Sequence, residues 1–216
     1  MLFRSHYSPL KVAENFRVLE NLYPGRIDLG IGRAPGSNST TARALAYGSQ
    51  IGIEYFPSRI ADLLAFIRDL SPATEAFEKV KATPKASTSP EIWLLGSSAQ
   101  SAIYAAQFGL AFSFAHFITP VGGDEVLQAY RKRFQSNEIF EKPKDSLCVF
   151  VICADTKDEA ARLAISRDLW RIRLDRGELG PYPSVDEAQS YPYTEAEKAR
   201  VKANRSRNII GNPEQV

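Results

Sequence analysis

One stretch, Glu91 to Gly109, constrains the fold more than any other, because it reads as one buried strand running straight into one helix. Ile92 to Leu95 is a short apolar run of the kind that a parallel sheet covers on both faces. Gly96, Ser97 and Ser98 then turn the backbone closely, and Gly109 closes the helix that follows. A helix start leaves several backbone N–H groups unpaired and carries partial positive charge. With Ser97, Ser98 and Ser101 beside it, this turn can hold a phosphate. Taken alone it is also explained by ordinary helix capping, since any parallel α/β protein has several strand-to-helix turns containing Ser or Gly.

The same alternation of strand and helix runs along the whole chain. Met1 to Phe3 reads as the tail of a strand, and Ser8 caps a helix whose first residue is Pro9 and whose body is Leu10 to Leu22. In that helix Val12, Phe16, Leu19 and Leu22 share a face, while Lys11, Glu14, Asn15 and Arg17 point away. Tyr23-Pro24-Gly25 stops it. Arg26 to Arg33 alternates like a strand with a glycine-rich end, and Ala34 to Ser39 is a loop. Thr40 to about Leu70 is helical with an interruption at Gly48 to Gly52, and Ser71 to Pro90 is an irregular excursion. Leu110 to His116 is a strand, followed by a helix from Asp124, its expected cap, to Phe134. Leu147 to Ala154 is a nearly unbroken apolar strand, and a long helix runs from about Asp155 to Arg176. Gly177 to Pro192 is a loop, Thr194 to Asn208 a basic helix, and Ile209 to Gly211 a short extended piece. Asn212 to Gln215 has the pattern of a helix start with no helix after it, which leads us to expect a longer protein beyond Val216.

The class is therefore α/β with parallel strands. About five strands are legible where a closed (β/α)8 barrel needs eight, so the sheet is either open or a barrel lacking both ends. In such a sheet the loops after the strands share one edge, which would gather Arg33, Ser97, Ser98, Ser101 and His116. The guanidinium of Arg33 can pair two phosphate oxygens while the helix start and the serines take the rest; alternatively it forms a surface ion pair. His116, and similarly His6, is either an acid–base or ligand-binding group or a structural histidine. No metal-ligand spacing, Gly-x-Ser-x-Gly elbow, P-loop lysine or Gly-x-Gly-x-x-Gly fingerprint occurs.

Composition narrows the rest. With 216 residues and 44% hydrophobic content the chain can bury a substantial core. Lys and Arg total 27 against 25 Asp and Glu, without a basic footprint for nucleic acid. Cys148 and Cys153 sit five apart on one expected strand, on opposite faces and too far apart to bridge, which fits the cytoplasm. No apolar run is long enough for a membrane span, and Met1 to His6 lacks a signal-peptide core.

Several blocks resemble the luciferase-like flavin monooxygenases. They are His6 to Pro9 with Val12 to Phe16, Leu22 to Gly36, Gly96-Ser97-Ser98 with Ala105 to Gly109, and Tyr191 to Thr194 leading to Ile210–Val216. The run Pro24-Gly25-Arg26-Ile27-Asp28-Leu29-Gly30-Ile31-Gly32-Arg33 is specific in combination, and the matches extend from end to end. The resemblance implies a (β/α)8 TIM barrel that uses reduced FMN and O2 to oxidise a small organic substrate, often an aldehyde in bioluminescent members, with a separate reductase supplying the reduced flavin. It implies that Arg33 and the turn of Gly96, Ser97, Ser98 and Ser101 hold the flavin phosphate, although luciferase proper carries an acidic residue where Ser97 stands. His116 lies where relatives line the flavin pocket and is a candidate on that ground alone; the resemblance assigns no catalytic residue. Placed against that family, residues 1–216 form a single partial barrel lacking about two N-terminal strands and the last one. Exposed strand edges would then lead to homo-oligomers or to aggregation. The alternatives to a working monooxygenase are an FMN-binding protein without catalysis and a non-functional remnant.

Overall fold

The computed structural model describes residues 2–3, 7–33, 39–46, 53–178 and 180–216; His6, the loop 34–38 and the expected interruption at 48–52 lie outside them. Residues 1–115 and 121–147 make one compact unit, and residues 116–120 and 148–216 make another.

The first unit opens with strand β1 (Leu2–Phe3) and helix α1 (Pro9–Leu22). The Ser8 side chain accepts the backbone N–H of Lys11 at 3.2 Å, and proline takes the first turn, where no N–H is needed. Strand β2 (Asp28–Gly32) follows, then helix α2 (Ser39–Ala46), a 3-10 turn at Ile53–Tyr55 and helix α3 (Phe56–Arg68). After the irregular stretch, strand β3 (Glu91–Gly96) enters helix α4 (Ala99–Gln107), and strand β4 (Ala111–Ala115) precedes helix α5 (Gly123–Arg133). Strand β5 (Asp145–Cys148) completes a five-stranded sheet in the order β1-β2-β3-β4-β5.

The ladders β1–β2, β2–β3 and β3–β4 are parallel. The core takes alternate strand residues, Leu29 and Ile31, Ile92 and Leu94, Phe112 and Phe114, against apolar residues of α1, α3, α4 and α5. The helices therefore cover one face of the sheet, and the strand order follows the chain without reversal. A doubly wound sheet reverses at a switch point and carries helices on both faces, so this is the winding of a (β/α) barrel.

The second unit contains strand β6 (Val151–Cys153), helix α6 (Lys157–Asp175), helix α7 (Val185–Ser190), helix α8 (Glu195–Arg205) and strand β7 (Ile209–Gly211). β6 and β7 pair in parallel, Val151 opposite Ile209. Thr156 caps α6, and Thr194 with Glu197 forms a reciprocal capping box at the start of α8.

Four local expectations are corrected. Arg17 does not point to solvent: it is 1% exposed, donates to the carbonyls of Ala82 (2.7 Å) and Ile67 (3.1 Å), and pairs with Asp69 at 2.9 Å. Three acceptors from distant chain segments engage its two terminal nitrogens, which its neighbours on α1 could not, while Nε stays buried without a partner. The cap of α5 is Gly122 rather than Asp124, because the turn needs φ of 77°, which glycine adopts without strain; Asp124 sits in the first turn instead. Leu147 to Ala154 is two strands, since the ladder partner changes at Val149 and Phe150: the Phe150 carbonyl already accepts from Ile209 N–H, at the head of the β6–β7 ladder. Cys148 and Cys153 thus fall on different strands, both exposed and unbridged. The loop 177–192 contains α7, capped by Ser184, whose side chain accepts from Glu187 N–H.

Candidate functional site

The β3–α4 turn is built as a cap. Ser98 is the N-cap of α4, and its Oγ accepts the Ser101 backbone N–H at 3.4 Å and lies 3.3 Å from Ser101 Oγ. The Ser98 carbonyl accepts from Ala102 N–H, closing the first helical turn. Ser97 and Ser98 are half-buried and Ser101 is 4% exposed, and the Ser98 and Ser101 hydroxyls meet at the helix start. Gly96 makes that proximity possible, because a Cβ there would fall inside 3.0 Å of both Cβ and Oγ of Ser101.

The register fixes what lies beside this turn. Gly32 pairs with Leu95, so Arg33, the next residue, stands level with Gly96 at the carboxyl end of the sheet. Arg33 is half-buried and has no ion pair among the described residues. An arginine without a counter-charge among the described residues, one strand away from the turn that starts a helix, puts two positive features at the same end of the sheet. The surface ion-pair alternative for Arg33 finds no partner among the described residues. On the opposite face of the sheet from the core, Ser146 Oγ donates to Ser113 Oγ at 2.9 Å.

His116 follows β4 by one residue and belongs to the second unit. There it lines a cavity with Arg167 and Arg171 of α6 and with Arg200, Asn204 and Arg207 on and just beyond α8. This cluster was missed in the sequence, where Thr194 to Asn208 read only as a basic helix. A signal was present: 167 and 171 are four apart, and 200, 204 and 207 are four and three apart, which places each set on one helix face.

The profile of the luciferase-like monooxygenase family matches residues 2–216. The protein YceB of Bacillus subtilis (strain 168) is 42% identical over 207 residues, covering 96% of this chain and 62% of the relative. The crystal structure of apo-MsnO8 superposes with a TM-score of 0.78 at 34% identity, over 98% of this chain and 62% of that one. The oxygenating constituent of 3,6-diketocamphane monooxygenase from Pseudomonas putida, solved in complex with FMN, shares the fold with a TM-score of 0.56 at 17% identity, covering 97% of this chain and 64% of its own. The chain thus spans under two thirds of the length of these relatives.

Proposed function

The chain belongs to the luciferase-like monooxygenase family, and from that premise we propose that it binds reduced FMN by the phosphate and, with O2, oxidises a small organic substrate. The observation that carries this reading is Arg33, without an ion pair among the described residues, level with Gly96 on the strand that leads into α4. Arg33 would take two phosphate oxygens, and the backbone N–H groups at the turn, with Ser97, Ser98 and Ser101, would take the others. Gly96 leaves the approach free of a side chain. FMN, when bound and reduced, supplies the electrons for oxygen chemistry; the residues named here position it and hold its charge.

In this reading a separate reductase provides the reduced flavin, residues 1–216 are part of one barrel domain, and copies of the chain self-associate. The two exposed thiols suit a cytoplasmic setting. Among the described residues no helix is long and apolar enough to cross a membrane. Because the chain spans 62% of its relative YceB, a second reading is an FMN-binding protein without turnover.

Titrating the purified chain with FMN and following flavin fluorescence tests the cofactor assignment. Arg33→Ala should weaken binding by about 1–3 kcal/mol. Unchanged affinity would remove Arg33 from the site. Oxygen consumption with reduced FMN and substrate then separates a monooxygenase from a binding protein.

A further inference from the structure

The cavity that His116 shares with the arginines is a feature of its own in the second unit, using none of Arg33, Gly96, Ser97, Ser98 or Ser101. Its charges do not balance. Asp175 pairs with both Arg171 and Arg200, each at 2.9 Å, and Asp168 pairs with Arg205 at 2.6 Å. The nearby carboxylates are therefore engaged by other arginines. Arg167 and Arg207 have no ion pair among the described residues.

Arg167 is the informative member. It is only 8% exposed, its Cζ lies 4.1 Å over the Phe150 ring and 5.4 Å from that of Trp170, and its Nε is buried without an acceptor. Asn204 lines the same cavity, and its Nδ2 is likewise buried and unpartnered. Burial is the largest influence on the Arg167 pKa and lowers it; Arg171 acts in the same direction, while Tyr182, Asp168 and Asp175 oppose it. A guanidinium nonetheless stays charged, so a buried one without a contacting anion leaves a large desolvation cost uncompensated. The space open to water centres is about 40 Å3. About 10–15 Å3 of such space admits one water, so the cavity takes a group of a few heavy atoms.

We propose that the second unit binds a small oxyanion, a carboxylate or phosphate group, between Arg167 and Asn204 inside the cavity, with Arg207 and His116 at its lining. Guanidinium groups match the paired oxygens of either group, and Arg171 and Arg200, already tied to Asp175, add positive potential without needing to move. His116 is then an anion-contacting residue of this unit, which gives the sequence's second histidine a role independent of the flavin phosphate.

The test uses the full chain carrying Arg33→Ala, so that an anion bound at the β3–α4 turn does not enter the readout. Inorganic phosphate and acetate are titrated at constant ionic strength against chloride, following the Arg Nε–H and Asn side-chain signals by NMR. Saturable shifts of Arg167 and Asn204 are expected with phosphate, acetate or both, and the responding anion identifies the group. Arg207→Gln, at an exposed position, should raise the dissociation constant by about tenfold or more, as should Arg167→Met if it folds. Shifts no larger than with chloride, or saturable shifts that Arg207→Gln leaves unchanged, would overturn the proposal. Phosphate binding that appears only when Arg33 is present would also overturn it, while leaving the flavin-phosphate reading intact.

Discussion

Gly96→Ala offers a direct test of how the β3–α4 turn is built. The new methyl would fall inside 3.0 Å of Cβ and Oγ of Ser101, and Ser101 is buried on a helix that packs into the core through Ala102, Ala105 and Ala106. Because Cβ of Ser101 is itself in the way, rotating the hydroxyl does not relieve the clash, so α4 must move away from β3. Overpacking of this kind costs about 1–3 kcal/mol. Gly96 is not in the left-handed region, so the alanine backbone is unstrained and recovers about 0.4–1 kcal/mol by restricting the unfolded chain. The net expectation is a loss of about 1–2 kcal/mol, or about 2–8 °C in Tm for a chain of this size. Trp93 lies in the first unit and Trp170 in the second, and they are the only two tryptophans. Fluorescence of a Trp170→Phe background therefore reports unfolding of the unit that holds the turn. Adding Ser101→Gly should restore part of the loss, whereas Ser101→Ala should not, since it keeps the offending Cβ. A Gly96→Ala protein as stable as its parent, or rescued equally by both second changes, would refute the close approach.

Two further expectations concern buried polar groups. Arg17→Met leaves the carbonyls of Ala82 and Ile67 without their donor and removes the partner of Asp69. Urea unfolding should show a loss of about 3 kcal/mol, and a loss below about 1 kcal/mol would mean that these acceptors find other donors. Tyr130, 1% exposed, donates to the carbonyls of Leu110 at 2.8 Å and Lys144 at 3.1 Å and accepts from Lys144 N–H at 3.2 Å, so Tyr130→Phe should cost about 1–3 kcal/mol. Burial pushes its hydroxyl from the usual 10.0 up to about 12, so the unfolded chain releases this proton first as pH rises. The contribution of Tyr130 is complete below pH 10 and is lost as pH approaches 12, and Tyr130→Phe should flatten the stability profile in that window. A profile unchanged by the substitution would show that Tyr130 does not drive the alkaline loss.

What the sequence disclosed and what it concealed divide by the range of the interactions involved. The β3–α4 unit, the Ser8 cap and the Thr156 start of α6 were legible because each is decided within about four residues, by apolar spacing and by a side chain reaching its own backbone. α7 was legible in principle, since Ser184 and Glu187 stand at capping distance, but the prolines and glycines around it masked a helix of a single turn and a half. The break between β5 and β6 left no local mark. Leu147, Val149 and Val151 are apolar yet exposed, and apolarity reports neither burial nor which strand a segment pairs with. Arg17 shows the same limit from the other side: by its spacing it belonged to the outer face of α1, and only Ile67, Asp69 and Ala82, at least 50 residues away, make its burial affordable. The two candidate sites follow this division. At the β3–α4 turn the serines, the glycine and the helix start are neighbours in the chain, and one strand register brings Arg33 to them, so the site could be assembled from sequence once a parallel sheet was inferred. The arginine cluster has no such register. It exists because α6 and α8 bring together faces about 30 residues apart, and Arg167, without an ion pair among the described residues, becomes visible only when the carboxylates around it are seen to serve other arginines.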